Sequence, residues 1–297
     1  MKVNPLLNEI SRGLWAMSFD GLQHWGIIAH KIMSGEAIAL PQSNEVKSLI
    51  SYFDENINGI KADQDGNMAI PKGSIAVVDM IGAIIKYGDW CTYGADEIVK
   101  VLKAADKNPN IAAIVLNIDG PGGSVSAIAP FVEFGKMKTK PVIGLYDQCC
   151  SAHLYAMYSC CDHIMASNDI SATIGSVGVV LSFKDNQKYL ETLGYTFHDI
   201  YPKESETKNQ AFMLALDGKY DMIKDEMLSP LAINFQNAVK KARPNLDLRE
   251  PGVITGKTFY TDKAIGIGLA DSMGSLEDAI NLALVLSEMK SLYKSNV

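Results

Sequence analysis

The chain has 297 residues, of which 47% are hydrophobic, so it can bury a sizeable core and is not globally disordered. Its net charge of -7 argues against nucleic acid or an anionic membrane surface as the main partner. The first residues lack the apolar core of a signal peptide, and no segment approaches the ~20 apolar residues of a membrane span. We therefore expect a cytoplasmic protein without a membrane anchor.

The five cysteines are an odd number and predict no disulfide scaffold. Four of them form two adjacent pairs, Cys149-Cys150 and Cys160-Cys161. Adjacent residues of a helix point in different directions, and the two-residue spacer that is usual in zinc sites is missing. We therefore expect neither a metal nor another cofactor.

Residues 1–72 are weakly patterned and are predicted to form a helical extension. Apolar residues recur at helical spacing in residues 5–17 and 22–33, and residues 43–57 could form a further helix. Turn residues follow at Asn58-Gly59 and in residues 63–67. The alternative is an arm that becomes ordered only on assembly.

Residues 73–297 alternate between short apolar runs and amphipathic segments. Strands are expected at residues 74–80, 111–118 and 141–146, with residues 81–86 continuing the first strand or pairing with it. Helices are expected at residues 94–105, 125–137 and 152–161. This alternation predicts an α/β domain with parallel strands and right-handed crossovers, in which ligands collect at the carboxyl ends of the strands.

The C-terminal part is predicted to be less regular. Short strands are expected within residues 162–167 and 173–182, followed by a helix at 183–193 that ends at Gly194 and an alternating strand at 195–201. A polar loop covers residues 202–209. A long helical region, 212–242, is expected to break near Gly218 and Pro230, and a turn-rich portion from about residue 243 leads to a last helix at 275–292.

Two features fall at predicted carboxyl ends of strands. A glycine-rich turn contains Gly122 and Gly123, and Ser151 lies between a strand and a helix. A serine at such a turn has an exposed hydroxyl near the positive end of the helix dipole, and amides of the two glycines and of Ala152 could hold an oxyanion. Alone, Ser151 could equally be a helix N-cap, and the glycines an ordinary tight turn.

Acyl transfer also needs a base that takes the proton of the nucleophile. His153, His163 and His198 are candidates, although His153 is expected to point away from the serine two residues before it. A lysine can serve when burial lowers its pKa from ~10.4 toward 7–8. Lys203 and Lys208 both lie in the polar loop, so the residues alone leave the base open.

Four ordered motifs resemble the signal peptide peptidase A family of serine peptidases, which includes the head-maturation proteases of tailed phages. They are Asn117-Ile-Asp-Gly-Pro-Gly-Gly-Ser-Val125, Cys150-Ser-Ala-His-Leu-Tyr155, Thr173-Ile-Gly-Ser-Val-Gly-Val179 and residues 255–271. The resemblance covers residues 74–274. It implies a crotonase/Clp-protease-like core of repeated β-β-α units.

The resemblance also implies the roles of individual residues. Ser151 corresponds to the nucleophile and Lys208 to the general base, with Lys203 in reserve. The backbone of Gly122 and Gly123, with Ala152, corresponds to the oxyanion hole. The substrate groove is implied at Gly175, Ser176, Val177, Gly178 and Val179, where an extended polypeptide would add as a strand.

Three further expectations depend on the resemblance. The chain would form a homo-oligomeric ring in which neighbouring protomers share the serine and lysine. Its substrates would be signal-peptide remnants or phage assembly and scaffold proteins. The rival hypotheses are an inactive scaffold protein of the same fold and a crotonase-like acyl-CoA enzyme, for which the sequence has no CoA-pocket motif.

Overall fold

The computed structural model describes residues 5–19, 21–23, 26–27, 31, 48–62, 68–88 and 93–295. Its helices are α1 (Pro5–Arg12), α2 (Ala95–Lys107), α3 (Ala129–Met137), α4 (Ala152–Cys160), α5 (Gln187–Thr192), α6 (Gln210–Leu216), α7 (Ser229–Ala242), α8 (Thr261–Gly266) and α9 (Leu276–Ser295). Its strands are β1 (Leu14–Met17), β2 (Ile50–Phe53), β3 (Ser74–Ile81), β4 (Ile111–Gly120), β5 (Gly122–Ser124), β6 (Val142–Cys150), β7 (His163–Ala166), β8 (Thr173–Gly175), β9 (Val180–Leu181), β10 (Thr258–Tyr260) and β11 (Ser272–Met273). Two 3₁₀ turns, Val125–Ala127 and Lys203–Ser205, and a π-helical segment, Ile223–Leu228, complete the assignment.

A sheet of eight strands lies at the centre of the described structure, in the order β10-β8-β6-β4-β3-β2, with β7 and β11 branching from β6. Strands β3, β4, β6, β7 and β8 are parallel, whereas β2 and β10 pair antiparallel at the two ends. The succession β4–β5–α3 is a β-β-α unit of the expected kind. The predicted α/β class with a mostly parallel sheet is confirmed.

Helices cover both faces of this sheet. In β3, Ala76 and Val78 belong to the larger core cluster, which includes buried side chains of α2, α3, α4 and α7. Ile75 and Val77, which alternate with them, face a second cluster that includes Ile280 of α9. Because both side-chain rows are buried, the parallel strands have the continuous apolar sequences from which they were predicted.

A smaller sheet of three strands lies beside the carboxyl ends of the large one. Its order is β5-β1-β9, and β1 pairs antiparallel with both neighbours. Strand β1 therefore comes from the N-terminal part of the chain, whereas its partners come from the glycine-rich turn and from the segment after β8.

The helical prediction for residues 1–72 is correct for α1 but wrong in two places. Residues 14–17 form a strand because β5 and β9 supply hydrogen-bonding partners on both sides. Residues 50–53 also form a strand, which pairs with the edge of β3, and residues 43–47 lie outside the described residues. Within the second predicted helix, residues 22–23, 26–27 and 31 are helical, whereas the remainder of that helix and the turn at 63–67 lie outside the described residues.

The core elements from residue 74 to residue 166 are confirmed, with one correction. Strand β3 ends at Ile81, and residues 82–86 neither continue it nor pair with it. Instead, Ile84 forms a single β-bridge with Gly123 of β5. The predicted strand at 162–167 is β7, and the run at 173–182 divides into β8 and β9 around the turn at 176–179.

The remaining predictions are correct in part. A helix precedes Gly194 but is shortened to α5, and residues 195–201 are not a strand. The break at Gly218, which has a φ of 77°, is confirmed. Pro230 does not interrupt the helical region, because the π-helical segment Ile223–Leu228 continues directly into α7, in which Pro230 lies in the first turn. The last helix is confirmed as α9.

Candidate active site

Ser151 lies at the turn where β6 ends and α4 begins. Its backbone has φ 56° and ψ -111°, a conformation that is strained for any residue with a Cβ atom. The Ser151 N–H donates to the Gly175 carbonyl at 2.9 Å, and the Ser151 carbonyl accepts the N–H of Tyr155 at 3.0 Å, which together fix the turn. The side chain makes no capping hydrogen bond, so the N-cap hypothesis does not account for this serine. A strained strand-to-helix turn is a geometry that presents a nucleophilic hydroxyl. The predicted exposure of this hydroxyl is wrong for the single chain, because Ser151 is 1% exposed and its hydroxyl donates to the Gly178 carbonyl.

The glycine strand β5 lies next to Ser151 because its parent strand β4 neighbours β6, with Gly120 level with Cys149. The two glycines have different environments. The Gly122 N–H donates to Nδ1 of His153 at 3.0 Å, and the Gly122 carbonyl accepts the N–H of Ile84 at 3.1 Å. Gly122 therefore directs its backbone polar groups away from the groove.

The backbone N–H and carbonyl of Gly123 face β1 instead. The antiparallel register pairs Ala16 with Gly123, and Ser18 donates its N–H to the Pro121 carbonyl at 2.8 Å. Hydrogen-bonded and non-bonded pairs alternate along an antiparallel ladder, so Ala16 and Gly123 are a bonded pair and the Gly123 N–H faces β1. Ala152, the third predicted oxyanion residue, is buried at the start of α4, where helix amides have no intrahelical acceptor.

Two of the five predicted groove residues, Gly175 and Gly178, bond Ser151 directly. Gly175 accepts its N–H, and the Gly178 carbonyl accepts its hydroxyl at 3.3 Å. Ser176 has a positive φ of 57° and donates its N–H to the Lys257 carbonyl at 2.8 Å, which turns the chain between β8 and β9. Val177 is buried in the core, whereas Val179 is half-buried beside a cavity.

That cavity has a volume of about 390 Å³ and adjoins both sides of the groove. Val125 follows β5, Val179 precedes β9, and Tyr155, Leu231 and Phe235 supply much of the apolar wall. The rings of Tyr155 and Phe235 stack at a centroid distance of 4.9 Å. Glu133, Lys136 and Asn234 also line this mainly apolar cavity, which is large enough to receive a side chain.

Sequence reasoning considered His153 only as a candidate base and missed its role beside the glycine strand. His153 is fully buried behind β5, and because its Nδ1 accepts the Gly122 N–H, the neutral ring carries its proton on Nε2. Nε2 lies toward the Gly82 carbonyl but makes no well-formed hydrogen bond. Burial lowers the pKa of His153 to about 3, so the ring stays neutral and does not act as a base at neutral pH. Its position indicates that it supports the glycine strand.

The model of peptidase family S49 matches residues 135–290, which is more than half of the chain. The chain belongs to peptidase family S49. Protease 4 of Haemophilus influenzae is 26% identical over 246 residues, which cover 82% of this chain and 39% of that protein. A putative protease of Synechocystis sp. is 28% identical over 205 residues, covering 64% of this chain and 68% of that protein. This S49 chain thus spans about two fifths of the length of Protease 4.

Among solved structures, a mutant of the membrane-bound stomatin-specific protease 1510-N has a TM-score of 0.46 at 15% identity. The match covers 71% of this S49 chain and 83% of that chain, and at this score it carries no argument about function. Family membership agrees with the expected crotonase/Clp-protease-like core. In the part of the S49 chain that the structure describes, no helix has the length and apolarity to span a membrane.

Neither candidate lysine of this S49 chain contacts Ser151. Lys203 and Lys208 are exposed on the segment between β9 and α6, and the backbone N–H of Lys208 donates to the Ser205 carbonyl at 3.0 Å. No hydrogen bond or ion pair among the described residues joins either ammonium to Ser151. His163 bonds Ser272 through Nε2, and His198 is exposed, so none of the candidate bases bonds Ser151 within the part of the chain that the structure describes.

Proposed function

We propose that this S49 chain is a serine endopeptidase in which Ser151 is the nucleophile. The observation that carries the proposal is the strained Ser151 turn beside the groove-facing N–H of Gly123. In the reaction, the Ser151 oxygen attacks a peptide carbonyl while the amides of Gly123 and Ala152 stabilise the oxyanion. The leaving amine takes a proton, and water then hydrolyses the acyl-enzyme.

We assign the general base to Lys208 of a neighbouring protomer, with Lys203 as the alternative. Two features support a shared site: the lysines are exposed, and the segment that carries them displays many apolar side chains that one chain leaves uncovered. The exposed apolar residues of this segment are Phe183, Tyr189, Leu193, Tyr195, Phe197, Ile200 and Tyr201, and Met213, Leu216 and Tyr220 follow in and after α6. A head-to-tail contact through this surface closes into a ring when the rotation between protomers allows it.

The substrate class is an extended polypeptide. Strands β5 and β9 flank the groove and offer backbone groups on both sides, which recognises main chain rather than one side chain. Signal-peptide remnants and phage assembly or scaffold proteins would both arrive in this form. The family resemblance and the name of Protease 4 support a proteolytic role for this site.

The first test compares purified variants on an unfolded, fluorescently labelled polypeptide. Ser151→Ala and Lys208→Ala should each lower kcat by at least ~10³-fold, because residues that act as one catalytic unit each abolish its function. Lys203→Ala tests the alternative base and should lose activity only if Lys203, not Lys208, takes the proton. Lys219→Ala, at an exposed lysine that is no candidate base, is the matched control and should stay within about twofold. Full activity of Ser151→Ala would refute the peptidase, and full activity of Lys208→Ala would exclude that base.

A mixing experiment decides whether the dyad is shared. Neither Ser151→Ala nor Lys208→Ala should be active alone, but co-assembled at equal amounts they should recover about a quarter of the wild-type sites if neighbours supply the two residues. A dyad within one chain would recover nothing. Labelling of Ser151 by a serine-reactive phosphonate separates both cases from an inactive scaffold, in which the wild type would resist the reagent.

A further inference from the structure

The N-terminal strand β1 occupies the groove in which a substrate would add. It lies between β5 and β9, so it contacts both strands that flank Ser151. Trp15 pairs with Ser124 on one side and with Val180 on the other. An extended substrate in this groove would need the same backbone groups that β1 uses.

The oxyanion donor bonds a carbonyl of this strand. Because Ala16 and Gly123 form a hydrogen-bonded pair of the ladder, the Gly123 N–H donates to the Ala16 carbonyl. The carbonyl of a bond about to be cut occupies this position in an acyl-transfer site. Along β1, the Ala16–Met17 peptide bond is therefore the one presented for attack.

On the opposite side of β1, Ser151 contacts the segment that leads into β9. Leu14 is paired with Leu181 and Trp15 with Val180, where the pairing of these two strands ends. The carbonyl of Gly178, two residues before Val180, is the acceptor of the Ser151 hydroxyl. The β1–β5 register thus selects the bond after Ala16, and the contact with Gly178 brings the Ser151 hydroxyl to the segment that pairs with the other edge of β1.

Further contacts hold the strand in place. The Ser182 N–H donates to the Gly13 carbonyl at 2.9 Å, just before β1. In α1, the buried Glu9 carboxylate accepts the hydroxyl of Ser126 at 2.9 Å. Trp15 is 4% exposed and packs in a cluster that contains Ile85, so the whole segment is docked rather than loosely apposed.

We propose that β1 is a substrate held in cis and that the chain cleaves its own Ala16–Met17 bond. The inference rests on the proposed peptidase function. The Ser151 oxygen bonds the Ala16 carbonyl carbon, the bond to the Met17 nitrogen breaks, and the serine proton passes through the base to that nitrogen. Water then hydrolyses the ester, which releases residues 1–16 with a new carboxylate, frees Ser151 and leaves a chain that begins at Met17.

The cleavage has two consequences. Loss of residues 1–16 removes most of β1 and opens the groove to other polypeptides. The strand also specifies what those polypeptides need: Ala16 is 0% exposed, so the site that receives its side chain is filled by a methyl group. Substrates in trans should carry alanine or a similarly small residue before the cut bond, since larger side chains overpack such a site.

The main test follows the intact mass of the full-length chain after purification. The wild type should convert with time to a species beginning at Met17 and a fragment of residues 1–16, whereas Ser151→Ala should stay intact. Ala16→Phe should slow the conversion at least about tenfold, because the ring cannot enter the filled site, and Ala16→Ser, the matched small variant, should still convert. Conversion of Ser151→Ala, or cleavage of the wild type only at other bonds, would overturn the proposal.

A second measurement separates this inference from the proposed function. Trp15→Asp places a charge in an apolar cluster and should release β1, which raises the initial cleavage rate of an external unfolded polypeptide. Phe19→Asp is the matched control, because Phe19 is 77% exposed and should leave that rate unchanged. Circular dichroism and phosphonate labelling of Ser151 establish that each variant is folded.

The combined outcomes are distinct. A wild type that cleaves the external polypeptide but keeps an intact N-terminus overturns self-cleavage and leaves the peptidase standing. A chain that cleaves neither, even as folded Trp15→Asp, overturns both. Conversion at Ala16–Met17 together with faster external cleavage by Trp15→Asp supports both.

Discussion

The buried imidazole of His153 makes the stability of the fold depend on pH. Burial lowers its pKa from 6.5 to about 3, so the folded chain stays unprotonated there while the unfolded chain binds a proton below pH 6.5. The unfolded state therefore binds more protons between these values, and the free energy of unfolding falls as pH falls. Each pH unit below 6.5 costs about 1.4 kcal/mol, which amounts to about 2 kcal/mol between pH 7.5 and pH 5.

The assay is urea unfolding at several pH values in a Ser151→Ala background, which prevents self-cleavage from changing the chain. His153→Asn removes the titrating ring but keeps an acceptor oxygen near the position of Nδ1, which can still take the Gly122 N–H. The free-energy difference between the parent and His153→Asn should shrink by about 2 kcal/mol from pH 7.5 to pH 5. Comparing differences cancels the other titrating groups and the constant cost of lost packing.

His163 supplies the control for this prediction. Burial also lowers the pKa of His163, but the ring is only half-buried and lies beside Asp271, which opposes that shift. His163→Asn should therefore reduce the acid sensitivity less than His153→Asn does. If the free energy of unfolding of His153→Asn falls toward acid as steeply as that of its parent, His153 is not the buried neutral group that makes stability depend on pH.

Two glycine substitutions separate catalysis from packing. Gly123→Ala would set a methyl group against the Ile84 carbonyl and should therefore disturb β5. We expect kcat on an external polypeptide to fall by ~10²–10³-fold, the usual cost of losing one oxyanion donor. An unchanged kcat would show that the Gly123 amide does not act in the reaction. Gly135→Ala would place a methyl group of α3 against the Ser159 carbonyl of α4. It should lower the free energy of unfolding by about 1–3 kcal/mol, while Ser151 should still react with a phosphonate. An unchanged free energy of unfolding would show that the close contact of the two helices does not contribute to stability.

The adjacency of Ser151 and the glycine strand could be predicted from the sequence. Buried parallel strands leave continuous apolar runs, and their carboxyl ends meet at one edge of the sheet. Because β4 and β6 are direct neighbours, motifs about thirty residues apart, at Gly122 and Ser151, come together without any knowledge of the loops.

Strand β1 could not be predicted in the same way. Its apolar residues fit a helical period as well as a strand, and its partners, Ser124 and Val180, lie more than a hundred residues further along the chain. Pairing at such a distance overrides local propensity. The strand predicted at residues 195–201 is wrong for the opposite reason. These residues alternate like a strand but pair with no strand among the described residues.

His153 did leave a signal. Helix α4 is apolar on nearly all sides, so a histidine in it has to be buried and needs a polar partner from the backbone nearby. The glycine-rich turn was the segment whose amides most needed an acceptor. A search for partners of buried polar side chains, rather than for bases, would have paired His153 with Gly122.

The two proposals together fix an order of events. The folded core already holds Ser151, the Gly123 amide and a bound strand, yet among the described residues no lysine bonds the Ser151 hydroxyl. If a neighbour supplies Lys208, the Ala16–Met17 bond is stable until protomers assemble, and assembly both completes the dyad and triggers removal of β1. Premature proteolysis is thereby blocked twice, by an absent base and by an occupied groove, and both blocks are released by the same contact.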